Sequence, residues 1–304
     1  MRVLVTGGAG FIGSHTVDKL IAQGAKVVVV DNLSTGKEEN LNPAAEFVKL
    51  DVNSEQMSQV FAGFGPDYVI HLAAQVSVAR STNNPILDSE TNIVGSVNII
   101  EKCRLFGVKK IVYASSAAVY GNPDEIVISE TTPVAPTSFY GVSKLTPESY
   151  LRVFNNLYGL NYTILRYANI YGPRQDALGE GGVISIFATR ILAGQSPTIF
   201  GDGEQTRDFV YVGDVANANV RALTGGDQMV LNVGTETRTS VNQLVAIMKE
   251  VTGSGLSPQY AEVRPGDVRH SCLDNRRIVK NLNWRPRVSL EAGLANTLEF
   301  YRKV

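Results

Sequence analysis

The 304 residues carry 28 Lys plus Arg against 29 Asp plus Glu, a net charge of −1, without a run of like charge. That balance lacks the footprint of a nucleic-acid binder, so an anionic partner must be met by a few local groups. The two cysteines, Cys103 and Cys272, form no Cys-x-x-Cys pair, which speaks against structural zinc and against a disulfide scaffold; no metal is expected, and a reducing cytoplasm fits best. The start, Met1–Thr6, lacks the apolar core of a signal peptide, and no stretch reaches the ~18 apolar residues of a membrane span.

Arg2–Val5 is a strand-length apolar run that meets Gly7-Gly8-Ala9-Gly10-Phe11-Ile12-Gly13, after which Val17, Leu20 and Ile21 recur at helical spacing. Strand, glycine turn and helix start in that order suit a phosphate-binding loop, in which free N–H groups and the helix dipole meet a pyrophosphate. The spacing Gly7-x-x-Gly10-x-x-Gly13 departs from the commoner G-x-G-x-x-G. Lys26–Val30 gives a second strand, with four consecutive valines, as expected where both faces are buried. It ends at Asp31, about 20 positions beyond the glycines and placed to accept from an adenosine ribose hydroxyl, which favours NAD over NADP. Further strands read at Glu46–Leu50, Asp67–Leu72 and Lys109–Ala114, with helical stretches around 54–63 and 84–106. This alternation describes an α/β fold with a doubly wound parallel Rossmann sheet, whose ligands lie beyond the carboxyl ends of the strands. Polar residues met there are Asp51, Gln75, Ser77, Ser115 and Ser116, with Asn92 in the helical region that follows.

Tyr140 and Lys144 are four residues apart and share one helix face. A free phenol ionises near pH ~10, and a cation within a few ångström favours its phenolate, so Tyr140 becomes a plausible general base. Pro147 in the same helix removes an amide donor opposite the Ser143 carbonyl and predicts a kink. After Arg166 the alternation loosens. Gly172 to Gly182 is glycine-rich, as binding loops often are, and Val183–Ala193 reads as a helix that is apolar nearly all round. Arg207 and Arg264 lie in turn-rich segments and offer the planar donor fork that suits a diphosphate. Ser240-x-x-Gln243 is a capping box before an amphipathic helix. The expected division is residues 1–168 for a nucleotide-binding domain, with later segments crossing back, and 169–304 for a smaller α/β substrate domain.

Taken together, Thr6-Gly-Gly-Ala-Gly-Phe-Ile-Gly13, Asp31-Asn32, Asp51-Val52, His71-Leu-Ala-Ala74, Ser115-Ser116 and Tyr140-x-x-x-Lys144 resemble the extended short-chain dehydrogenase/reductases. Within them Ser115-Ser-Ala-Ala-Val-Tyr-Gly121, Arg166-Tyr-Ala-Asn-Ile-Tyr-Gly-Pro-Arg174, Gly201-Asp-Gly-Glu-Gln-Thr-Arg-Asp-Phe-Val-Tyr-Val212 and Arg264-Pro-Gly-Asp267 resemble the UDP-glucose 4-epimerase group. The resemblance implies reversible C4 epimerisation of UDP-galactose and UDP-glucose, through a 4-keto sugar and with tightly bound NAD. It makes Tyr140 the base, Ser116 its partner at the reacting hydroxyl, and Lys144 a ligand of the nicotinamide ribose. NAD would lie against Gly7, Gly10, Phe11, Ile12 and Gly13, then Asp31, Asn32, Asp51 and Val52, then Leu72, Ala73, Ala74, Asn92, Ser115 and Tyr167. On the substrate side the resemblance places Ser77 and Asn169 on the sugar nucleotide, and Arg207 and Arg264 on its diphosphate. Asp267 would take a ribose hydroxyl, while Val183, Ile199 and Phe200 face the uracil. Related sugar-nucleotide dehydratases carry an Asp-Glu pair where this chain has Ala117 and Ala118. The family's gatekeeper position corresponds to Ser271, small enough to admit the N-acetyl group of UDP-GlcNAc or UDP-GalNAc. UDP-glucuronate epimerisation and a sugar-nucleotide dehydrogenase with net NAD turnover stand as alternatives. The family also pairs the helices near 84–106 and 141–158 into a four-helix homodimer interface.

Overall fold

The computed structural model describes residues 1–176, 182–263 and 268–303. Its strands are β1 (Arg2–Thr6), β2 (Lys26–Asp31), β3 (Glu46–Lys49), β4 (Tyr68–His71), β5 (Lys110–Ser116), β6 (Asn161–Tyr167), β7 (Asn169–Tyr171), β8 (Thr198–Phe200), β9 (Thr206–Arg207), β10 (Phe209–Tyr211), β11 (Met229–Val233), β12 (Thr239–Ser240) and β13 (Gln259–Ala261). Its helices are α1 (Phe11–Ala22), α2 (Met57–Phe64), α3 (Val78–Asn83), α4 (Pro85–Ser89), α5 (Gly95–Leu105), α6 (Phe139–Tyr158), α7 (Val183–Leu192), α8 (Val212–Ala222), α9 (Val241–Thr252), α10 (Arg276–Leu282) and α11 (Leu290–Lys303). Among the described residues no helix is long and apolar enough to cross a membrane.

Seven strands form one parallel sheet in the order β11-β6-β5-β4-β1-β2-β3. The chain leaves β1 in one direction through β2 and β3, and returns in the other through β4, β5 and β6. The boundary between β1 and β4 is therefore the switch point, where a crevice opens beyond the strand ends. Alternation of side chains explains the valines of β2. Val27 and Val29 enter a core with Val3, Val5 and Leu165 beneath α1, α8 and α10. Val28 and Val30 enter the opposite core with Leu4, Val69 and Ile164 beneath α2, α5 and α6. Each such valine stabilises the fold by about 1.5–3 kcal/mol. A third core joins Ile184 and Phe187 of α7, Leu244 and Met248 of α9, and Leu294 and Leu298 of α11.

The first five strands fall within one or two residues of their expected spans. The capping box of α9 is made in both directions, with Gln243 N–H donating to Ser240 Oγ at 3.1 Å and Ser240 N–H to Gln243 Oε1 at 2.8 Å. The helix expected over 84–106 is instead divided: α4 passes into a π turn, Glu90–Val94, before α5 begins. That turn carries Asn92 inward, where its amide bonds the main chain of Gln75. Helix α6 runs unbroken through Pro147, flanked by the Ser143 hydroxyl on the Tyr140 carbonyl and the Thr146 hydroxyl on the Val142 carbonyl.

Candidate active site

At the end of β1 the chain turns so closely that side chains have no room. A Cβ on Gly13 would stand 2.0 Å from the Gly7 carbonyl oxygen, and one on Gly7, whose φ is +70°, would stand 2.7 Å from Ala73 N. The first turn of α1 has neither a side-chain cap nor an acidic residue, so its N–H groups and positive dipole end are open to an anion. At the far side of this turn Asp31 closes β2. Its carboxylate accepts from Ala9 N–H at 3.0 Å and Leu33 N–H at 2.8 Å. Burial raises its pKa and these two bonds oppose the rise. Asn32 donates to Asp51 Oδ2 at 2.7 Å, tying the ends of β2 and β3 together.

Across the switch point, Thr6 at the end of β1 accepts from the N–H groups of Leu72 and Ala73, both at 3.2 Å. Its hydroxyl proton is thereby left for His71 Nδ1, at 2.7 Å. The other ring nitrogen must then carry the proton, and it donates to Ser96 Oγ at 3.0 Å. Complete burial, with the Lys144 charge adding to it, lowers the His71 pKa to about 3. The ring is a neutral fastener for the segment Leu72–Ala74.

Ser138 caps α6 through Gly141 N–H at 3.0 Å, and Tyr140 N–H donates to Ser81 Oγ at 3.2 Å. Gly141 lets the helix start press on the turn that follows β5, since a Cβ there would be 2.7 Å from the Ala118 carbonyl oxygen. That turn begins at Ser116, whose hydroxyl accepts from Ala118 N–H at 3.1 Å. Lys144 is 4% exposed, with its ammonium 4.8 Å from the centroid of the Tyr113 ring. Burial lowers its pKa to about 8, against the pull of Asp88 and Glu148.

These elements surround one cavity of about 860 Å³. Its walls contain Gly7, Gly10, Phe11, Ile12 and Gly13 from the turn, and Asp31, Asn32, Asp51 and Val52 from the β2 and β3 ends. They also contain Leu72, Ala73, Ala74 and Ser77 after β4, Ser115 and Ser116 at β5, Tyr140 and Lys144 on α6, and Tyr167 and Asn169 after β6. Asn92 is behind the wall, its amide donating to Gln75 O at 2.9 Å and Ser143 Oγ at 3.0 Å. Val183, Ile199, Phe200, Arg207 and Ser271 lie off this cavity. Arg207 and Ser271 nevertheless come together, because Ser271 N–H donates to the carbonyl of Thr206 at 3.1 Å. Arg264 and Asp267 lie outside the described residues.

Sequence reasoning passed over other lining residues: Ser34 to Lys37, Arg80, Thr91 and Asp176. The turn-forming run directly after Asp31 was a usable signal for the first of these. Arg174, also on the wall, adopts a left-handed φ of +68° and pairs with Asp18 of α1 at 2.8 Å.

Residues 3–234 match the NAD dependent epimerase/dehydratase family. The chain belongs to that family. It is 46% identical over 310 residues to the UDP-glucose 4-epimerase of Mycolicibacterium smegmatis, covering 99% of each. A Thermotoga maritima UDP-glucose 4-epimerase solved with UDP-glucose superposes with a TM-score of 0.98 at 51% identity, over 100% of this chain and 99% of that one. A Thermus thermophilus UDP-glucose 4-epimerase solved with NAD gives 0.94 at 43% identity, over 99% of both chains. The side-chain-free turn, the open N–H groups of α1 and the carboxylate at the β2 end fit the family's NAD.

Proposed function

We propose that this chain interconverts UDP-galactose and UDP-glucose by epimerisation at C4, with NAD retained in the glycine cradle. The observation that carries this reading is that Tyr140, Lys144 and Ser116 line the same cavity as the cradle and Asp31. When bound, NAD supplies reversible acceptance of the hydrogen on C4. Tyr140 as phenolate takes the proton of the 4-hydroxyl and later returns it. Lys144 favours the phenolate by its charge and is held in place by burial. The Ser116 hydroxyl keeps a proton to share with the reacting oxygen. Ala117 and Ala118 supply no acid or base beside that oxygen, which supports return of the hydrogen over loss of water. Arg207, with Arg264, would hold the diphosphate, Asp267 a uridine ribose hydroxyl, and Val183, Ile199 and Phe200 the uracil end.

Ser271 supports turnover of UDP-GalNAc and UDP-GlcNAc as well. A homodimer is supported by apolar side chains left exposed along one face of α6 (Val142, Val153, Leu157) and of the neighbouring Ile86, Val94 and Leu105. The division at residue 168, with β11 crossing back to the large sheet, is supported by the separate core of α7, α9 and α11. A cytoplasmic setting and a role in galactose metabolism follow from the same reading. The test is NMR of the protein with UDP-galactose, and separately UDP-GalNAc, at catalytic NAD. The gluco isomers should accumulate without NADH, and Tyr140→Phe should abolish turnover in a folded protein. Stoichiometric NADH, or an active Tyr140→Phe variant, would overturn the reading.

A further inference from the structure

Glu148 is a fully buried carboxylate to which the reaction just described assigns nothing. It lies one helical turn beyond Lys144 and two beyond Tyr140 on the same face of α6. Its Oε1 accepts from Ser115 Oγ at 2.6 Å and from Arg166 Nε at 2.9 Å, and its Oε2 accepts from an Arg166 Nη at 2.6 Å and lies 3.6 Å from a nitrogen of Arg152, whose own side chain is half exposed. Arg166 is itself buried, with its guanidinium 4.8 Å from the Tyr120 ring centroid. Ser115 precedes Ser116 at the end of β5, and Arg166 precedes Tyr167 at the end of β6. A single carboxylate therefore ties together the three elements that carry Tyr140, Lys144, Ser116 and Tyr167.

We propose that Glu148 is a positioning residue for the epimerisation, which fixes the register of α6 against the ends of β5 and β6 and balances the buried Arg166 charge beneath Lys144. This inference rests on the proposed epimerase reading. The charge balance matters because few groups face Lys144. Among the described residues they are Glu148 of its own helix, Tyr140 of that helix on the same cavity wall, Asp88 of α4, the neutral His71 of β4 and Tyr113 of β5. Removing the Glu148 charge leaves Arg166 uncompensated, which disfavours the Lys144 ammonium and favours phenolate at Tyr140. Both effects move activity to lower pH.

The experiment compares wild type with Glu148→Gln, Glu148→Gln/Arg166→Met and Ser115→Ala, measuring NAD content, thermal midpoint, and kcat and KM for UDP-galactose across pH. For Glu148→Gln, kcat is expected to fall roughly 100-fold at little-changed KM, and the kcat profile to move down by about one pH unit. The double variant, which removes the buried pair and leaves only the half-exposed Arg152, should return the profile towards the wild-type position while kcat stays low. Ser115→Ala, which deletes one hydroxyl from the tie, should lower kcat about tenfold at wild-type KM and midpoint. Lower midpoints with an unshifted profile in Glu148→Gln, or wild-type kcat in Ser115→Ala, would overturn the proposal; the latter decides the matter even if Glu148→Gln does not fold. An inactive wild type would instead remove the epimerase reading itself.

Discussion

Gly13→Ala tests whether the glycine turn is a cradle or only a tight connection. The new methyl carbon would begin 2.0 Å from the Gly7 carbonyl oxygen, which must retreat by at least about 1 Å to reach a tolerable contact. That oxygen already accepts from Gly10 N–H at 3.1 Å, and Gly7 is pressed against the main chain at Ala73, so the retreat cannot be confined to one atom. The N–H groups opening α1 would turn away from a bound pyrophosphate. A hydrogen bond to a charged group contributes about 1.5–3 kcal/mol, so misaligning two of them should weaken NAD binding by about 3 kcal/mol, or ~150-fold. The assay is NAD content of the purified protein, followed by titration of stripped protein with NAD and circular dichroism to confirm folding. A folded Gly13→Ala protein that retains NAD with wild-type affinity would refute the reasoning.

Other outcomes follow from the same geometry. Because Lys144 carries its proton only below about pH 8, kcat should fall about tenfold per unit above that pH, and a plateau to pH 10 would show that its charge is not required. Ser271→Tyr should suppress turnover of UDP-GalNAc while sparing UDP-galactose, and equal loss of both would remove Ser271 from specificity. His71, held to about 3 in the fold against 6.5 when unfolded, binds its proton only in the unfolded chain between those values. Its contribution to stability is complete above pH 6.5 and is lost as pH falls towards 3, at about 1.4 kcal/mol per unit. Urea denaturation of wild type and His71→Gln between pH 7 and 4.5 should show that slope only in the wild type.

What could be read from the sequence was local. The strand, glycine turn and helix start of residues 2–22 follow from spacing within one segment, as does the shared face of Tyr140 and Lys144. What could not be read depends on chain segments far apart. Glu148 meets Arg166 across 18 positions, and Asp18 meets Arg174 across 156, so neither pair leaves a periodic trace. The same holds for Asn92: the helix spacing around it predicts an ordinary α-helix, whereas its bonds to Gln75 accompany a π turn that draws the side chain behind the cavity wall. Pro147 marks the converse limit: a residue that ends most helices is carried, buried, inside α6 without ending it.

The four adjacent strands beneath the cavity end alike. Thr6 closes β1 and is paired in register with His71, which closes β4; Ser115 and Arg166 are paired in register near the ends of β5 and β6. All four are buried polar residues at positions where apolar side chains would pack without desolvation cost. A polar layer of this kind holds direction as well as contact, because each hydrogen bond specifies an angle that an apolar contact leaves free. Thr6 and His71 orient the main chain of Leu72 and Ala73 on the cofactor side, and Ser115 and Arg166 orient α6 through Glu148 on the catalytic side. Replacing Thr6 and His71, or Ser115 and Arg166 together with Glu148, by apolar side chains of similar volume should therefore leave the sheet about as stable while loosening the arrangement that turnover requires, whereas removing Arg166 alone would strand the buried carboxylate.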